Sequence, residues 1–261
     1  MPSPKLLEPA ARLGFAARGV LYMAVGYLTL RLGRTSDNGD ALSFIEGAGG
    51  RIVLAIMALG FLAYGLWRLS EAAIDSEGHG SDAKGVAKRV GGAVSGVVHL
   101  ALALVAVRLI TGTGGGGGDV AERGASAALS FPGGAAALLL VAAVLLGVGV
   151  YQLVSAVKLG FLKHLDPQAA RQPWAAWVGR AGYLARGTVF VLVALFTWRA
   201  GRESQSSQAG GTEQALDAMP EWLRLLVAAG FVMFGIFSLV EARYRRINDP
   251  DVLARLRRTV A

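Results

Sequence analysis

The chain contains no cysteine, which excludes disulfides, thiolate metal sites and cysteine nucleophiles. Histidine is nearly as scarce, with 3 in 261 residues. Two of these, His79 and His164, stand in polar stretches between apolar runs, so a bis-histidine haem site would lack its second ligand. Charged residues make up only 17% of the chain against 54% hydrophobic. No Ser-His-Asp set, metal-ligand spacing or paired aspartates can be assembled from the apolar segments, and Asp166, Asp217, Asp249 and Asp251 are isolated in loops and tail. The glycine run Gly114 to Gly118 continues into Asp119-Val120 rather than the Lys-Ser/Thr that ends a phosphate-cradling loop, and reads as a flexible connection. These absences lead to the expectation of a non-enzymatic protein with no catalytic residue, cofactor or metal.

What the chain has in abundance is long apolar runs, and they repeat. Arg12 to Arg31 reads RLGFAARGVLYMAVGYLTLR, Arg89 to Arg108 reads RVGGAVSGVVHLALALVAVR, and Arg180 to Arg199 reads RAGYLARGTVFVLVALFTWR. Aligned without a gap, the three share an opening Arg (12, 89, 180), a Gly two residues on (14, 91, 182) and a second Gly (19, 96, 187). A ring side chain (Tyr22, His99, Phe190) and the closing Arg follow. The eighteen residues between the arginines span roughly 27 Å as a helix, close to the hydrocarbon thickness of a bilayer. No polar face is offered to water.

A second set of apolar runs, at 52–67, 134–157 and 225–240, aligns in the same way. Gly60, Val144 and Gly230 correspond, then Gly65, Gly149 and Gly235, then an aromatic (Trp67, Tyr151, Phe237), and then Glu71, Ser155 and Glu241. A short Ala-Leu segment precedes each (Ala41-Leu42, Ala128-Leu129, Ala215-Leu216), and the first of these reads as a short surface helix. The repeating unit is therefore a helical hairpin taken three times. The expected fold is an all-α integral membrane protein with six transmembrane helices as three tandem hairpins in pseudo-threefold arrangement. The hairpins occupy 1–74, 75–158 and 159–246, and a basic tail occupies 247–261. Residues 1–11 read as a short interfacial lead-in.

These residues resemble the bacterial membrane family known as domain of unknown function 1206. Its Arg-x-Gly-Tyr-x-x-Arg-Gly pattern is matched best by Arg180 to Gly187, with Phe15 replacing Tyr in the first repeat. The second repeat departs most, with Gly92 and Ser95 where the others carry an aromatic and Arg. The resemblance covers nearly the whole chain. It implies a three-repeat, six-helix plasma-membrane protein and brings no activity, cofactor or catalytic residue with it.

Net charge is +8. The arginines cluster at the ends of apolar segments, where they would meet lipid phosphates, so the basic balance points to the bilayer and not to nucleic acid. Eighteen Lys and Arg fall on the side of the termini against eight on the other. Both termini are therefore expected in the cytoplasm, facing anionic headgroups. Equal orientation of the hairpins predicts a repeat axis along the membrane normal. The tail, Asp251 to Arg258, fits either a helix lying on the anionic inner leaflet or a solvated basic end.

Intramembrane polar groups are the candidate site. His99 stands mid-helix, either as a proton-relay or ligand group, or as a ring filling the slot of Tyr22 and Phe190 with one hydrogen bond to a neighbouring helix. Repeats one and three carry Arg18 and Arg186 on the first helix and Glu71 and Glu241 on the second, whereas repeat two carries Ser95 and Ser155. Charges present together and absent together suggest hairpin-internal ion pairs, Arg18–Glu71 and Arg186–Glu241. In the rival arrangement each Arg reaches lipid phosphate while Glu71 pairs with Arg12 or Arg68. Gly14 and Gly19 lie about 140° apart around the helix, so they should face different neighbours. Two functions remain open: a membrane module that binds a partner protein or lipid, or a small transporter with a path along the pseudo-threefold axis.

Overall fold

The computed structural model describes residues 4–32, 36, 38–75, 80–113 and 120–245. The glycine run at 114–118, His79 and the tail at 247–261 lie outside the described residues. Among the described residues nine α-helices follow in order: α1 (Pro4–Leu32), α2 (Asn38–Ile74), α3 (Ala83–Thr111), α4 (Val120–Leu129), α5 (Gly134–Lys158), α6 (Pro167–Ala170), α7 (Pro173–Glu203), α8 (Thr212–Asp217) and α9 (Glu221–Tyr244). Six of them, α1, α2, α3, α5, α7 and α9, are long and apolar enough to cross a membrane.

Local chemistry fixes where these helices begin and end. Asp82 caps α3 by accepting from the Gly85 N–H, and Gly112, at φ 69°, closes it in the left-handed conformation. Asp166 caps α6, with Pro167 in its first turn, and Pro173 opens α7. Gly50, at φ 72° and ψ 174°, breaks α2 into a loop helix and a membrane helix. The lead-in expected over residues 1–11 is helical from Pro4, and α2 continues to Ile74, well beyond Trp67.

The hairpins close a ring. Around the bundle the order is α5, α7, α9, α1, α2, α3, each packed closely on the next, while α3 and α5 at the two ends of the series meet only sparsely. Three glycine pairs make the contacts between repeats. A methyl group on Gly235 would lie 2.6 Å from the Gly19 carbonyl oxygen, and Gly65 with Gly96 and Gly149 with Gly187 approach reciprocally at 3.0 and 3.1 Å. Without Cβ atoms the backbones touch, which is how helices gain packing in lipid. Gly14 instead meets Gly60 and Tyr64 of its own hairpin, so the two glycines of α1 do face different neighbours.

The chain ends of the repeats gather at one end of the bundle. Arg12 reaches the carbonyls of Ala242 and Arg243, and the Asp166 N–H donates to the Tyr244 carbonyl at 2.8 Å. The loops within the hairpins close the opposite end. Ala41 and Leu42 from the first loop helix and Ala215 and Leu216 from α8 are fully buried, in one apolar cluster with Leu28, Leu54, Ala106, Leu109 and Val227. The surface helix expected at Ala41-Leu42 is thus a buried plug, because its apolar pair has the bundle axis to fill. Among the described residues α5 alone of the six long helices contributes nothing to this cluster. The loop helix of the second hairpin, α4, packs to one side, with Ala125 against Leu138, Ala200 and Ala209.

Candidate functional site

Among the described residues the buried charged groups lie near the end that carries the repeat boundaries, and one rule organises them. Each first helix works on the second helix of the preceding repeat, with the third repeat preceding the first. The opening arginines show it most simply. Arg12 donates to Ala242 and Arg243 of α9 at 2.8 and 2.7 Å, Arg89 to Ala72 and Ala73 of α2 at 2.8 and 3.1 Å, and Arg180 to Ala156 of α5 at 3.3 Å. These carbonyls end their helices without intrahelical donors, and a cation there also opposes the helix dipole. The opening arginines are helix caps, where the sequence suggested lipid phosphate.

Arg18 follows the same rule. It is 6% exposed and bonds Glu241 of α9, itself 1% exposed, not Glu71 of its own hairpin. Its Nε donates to Ser238 Oγ and its Nη1 to the Tyr64 hydroxyl, both at 3.2 Å. Glu241 also accepts from Arg245 at 2.7 Å, making a buried Arg–Glu–Arg triad. The guanidinium of Arg18 lies over the rings of Phe15 and Phe234, 4.8 and 5.1 Å from their centroids.

The hairpin-internal pairs are corrected by this geometry, and axial register is the reason. Gly60 packs against Ala17, so Glu71, eleven residues further along α2, sits roughly 16 Å from that level. Gly235 packs against Gly19, and Glu241 lies only six residues, roughly 9 Å, beyond it. A guanidinium can span the second interval and not the first. Glu71 instead accepts from Arg68, one turn earlier on α2, at 2.5 Å. In the second repeat Ser95 takes the position of Arg18, and Gly92, aligned with Phe15 of the first repeat, stands beside the Glu71 carboxylate, where a methyl group would lie 3.4 Å from Oε2.

Arg186 is not bonded to Glu241 either. The rule points it at α5, where Ser155 replaces the glutamate. Its Nε donates to the Tyr22 hydroxyl at 2.9 Å and its Nη1 to Gln152 Oε1 at 3.2 Å, while Tyr22, Phe190 and Phe234 surround it. Among the described residues no carboxylate pairs with it. Gln152 is 3% exposed, and its Nε2 has no hydrogen-bond partner among the described residues.

His99 is 4% exposed and packs its ring on Tyr64 and Phe61, with centroids 4.5 and 6.1 Å away. Its Nδ1 lies 2.7 Å from the Ser95 carbonyl oxygen of its own helix, not from a neighbouring one as the sequence suggested. The four-residue spacing from Ser95 makes that local bond available. Among the described residues no group of three His, Asp or Glu side chains could hold a metal ion.

A family model described as Domain of Unknown Function (DUF1206) matches residues 13–75, 90–158 and 181–245, one segment per hairpin. The chain belongs to this family. It is also 25% identical over 251 residues to the "Uncharacterized protein YxxB" of Bacillus subtilis (strain 168), covering 91% of this chain and 90% of that protein. No solved structure matches significantly.

Within the DUF1206 repeat the column that sequence reasoning underused lies three residues before the glutamate: Arg68, Gln152 and Ser238. It is polar in every hairpin, and each member bonds a charged neighbour, Arg68 to Glu71, Gln152 to Arg186 and Ser238 to Arg18. That regularity was visible. The part taken by Tyr64, which accepts from both Arg18 and Arg68, was not, since aromatics in apolar helices usually only pack.

Proposed function

We propose that the protein is a non-enzymatic module of the bacterial plasma membrane, with both termini in the cytoplasm, that binds a partner protein or a lipid. The observation that carries this reading is how the bundle interior is divided. Among the described residues the buried charged side chains Arg18, Glu71, Glu241 and Arg245 lie near the repeat boundaries, where they bond one another or Arg68. The rest of the axis is filled by the apolar cluster of Leu28, Leu54, Ala106, Leu109, Leu216 and Val227. Solute paths are commonly lined by polar groups, and this apolar packing supports the module reading over a transporter. The basic boundary end suits contact with anionic headgroups.

Reconstitution into liposomes tests the module reading against the transporter. The expected result is no protein-dependent proton or ion flux, together with a lipid or protein that co-purifies in mild detergent and is identified by mass spectrometry. Saturable flux overturns the reading. Orientation is checked by single cysteines, since the chain has none of its own. Ser81→Cys and Gln168→Cys are expected to resist an impermeant reagent added outside intact cells and Ser207→Cys to react; the opposite pattern reverses the topology.

A further inference from the structure

The second hairpin is the irregular member of the ring, and its departures converge on one place. In the first and third hairpins the two long helices are pressed together through glycine. A methyl group on Gly14 would lie 2.3 Å from Tyr64 Cβ, and one on Gly182 would lie 2.6 Å from Phe234 Cα. At the same position Gly91 meets only a methyl of Val148, at 3.6 Å. The partner column reads Gly60, Val144, Gly230, so α5 carries a branched side chain where α2 and α9 carry none. The result is the sparsely packed seam between α3 and α5.

The unbalanced charge, Arg186 of α7, is bonded to Gln152 on α5, one of the two helices of that seam. Arg18 has Glu241, whereas the corresponding Arg186 has only neutral partners, the Tyr22 hydroxyl and Gln152 Oε1. Its Nη2 has no protein acceptor among the described residues, and the side chain is only partly buried. Gln152, committed through Oε1 to Arg186, leaves Nε2 buried without an acceptor beside it. A guanidinium without a counter-charge beside a buried amide donor without an acceptor is costly, and an anion would satisfy both.

We propose that the seam between α3 and α5 admits the headgroup of an anionic membrane lipid, whose phosphate oxygens accept from Arg186 and from Gln152 Nε2. The proposal rests on the binding-module reading and names its ligand. One negative charge gives Arg186 the counter-ion that Glu241 gives Arg18. Both helices also offer exposed apolar side chains to acyl chains, Val97, Val98 and Leu104 on α3 and Leu140, Val141 and Val154 on α5. Arg186 lies six residues inward of Arg180, roughly 9 Å, a depth that a lipid headgroup and a long side chain can share.

The test is native mass spectrometry of the full-length protein in mild detergent, titrated with dioleoyl phosphatidylglycerol, dioleoyl phosphatidylcholine or inorganic phosphate. Phosphatidylglycerol is expected to bind in preference to phosphatidylcholine, with inorganic phosphate failing to displace it. Arg186→Gln is expected to weaken phosphatidylglycerol binding about 30-fold or more, as loss of one partner of a desolvated charge pair does. Gln152→Leu, which removes the amide donor and keeps the charge, should weaken it several-fold and keeps the test open if Arg186→Gln does not fold. Val144→Gly, which lets α3 and α5 close, should reduce binding without touching a polar group, while Arg171→Gln on the exposed boundary should leave it unchanged. Equal binding by wild type, Arg186→Gln and Gln152→Leu overturns the seam site. So does equal retention of both lipids, or displacement by inorganic phosphate. None of these outcomes touches the module reading, which falls only to flux in the reconstituted vesicles.

Discussion

Replacing Glu241 by glutamine tests the buried triad most directly. The substitution keeps shape and removes one negative charge, leaving Arg18 and Arg245, 6% and 7% exposed, facing a neutral amide. Two routes give its magnitude. Two hydrogen bonds between charged groups, each worth about 1.5–3 kcal/mol, sum to about 3–6 kcal/mol. Breaking a buried ion pair from one side costs about 3–5 kcal/mol. The overlap corresponds to a loss of about two to four decades in the folding equilibrium. The assay is reversible unfolding in mixed micelles of increasing dodecyl sulfate fraction, followed by far-ultraviolet circular dichroism. A double-mutant cycle locates the partner. Arg18→Met with Glu241→Gln should couple by at least about 1 kcal/mol, whereas Arg18→Met with Glu71→Gln should be additive within about 0.5 kcal/mol. A loss below about 1 kcal/mol for Glu241→Gln, the range of exposed pairs, would refute the reasoning. So would stronger coupling of Arg18 to Glu71 than to Glu241.

Removing the helix caps should cost less and in a graded way. Arg12→Ala and Arg89→Ala, each losing two carbonyl contacts, should destabilise by about 1–2 kcal/mol, and Arg180→Ala, with one contact at 3.3 Å, by about 0.5 kcal/mol in the same unfolding assay; equal losses at all three would mean that the contacts do not set the effect. Gly235→Ala places a methyl group 2.4 Å from Met23 Cγ and 2.6 Å from the Gly19 carbonyl oxygen, and should cost about 1–3 kcal/mol. Gly147→Ala, with open space around it, should be neutral or should stabilise by up to about 1 kcal/mol through helix propensity; the reverse order of the two would disprove the glycine contacts.

The sequence by itself determined the elements and their repetition. Apolar runs bracketed by arginine fixed six long helices, because a segment without a polar face has nowhere but lipid or a core to go. The spacing of Gly14 and Gly19 fixed that α1 is packed on two sides, since five residues turn the helix by about 140°. Departures of the second repeat, Val144, Gly92, Ser95 and Ser155, were equally legible as departures. What they do was decided only by tertiary structure. Pairing within a hairpin and pairing between repeats are indistinguishable in a column of aligned residues, because all three hairpins carry the same columns. The choice depends on axial register, which Gly60 against Ala17 sets on one side of α1 and Gly235 against Gly19 on the other. That register brings Arg18 to Glu241, 223 residues away, and takes it out of reach of Glu71. It also turns Arg186 toward a serine, so the vacancy in the charge pattern of the second repeat appears on the first helix of the third.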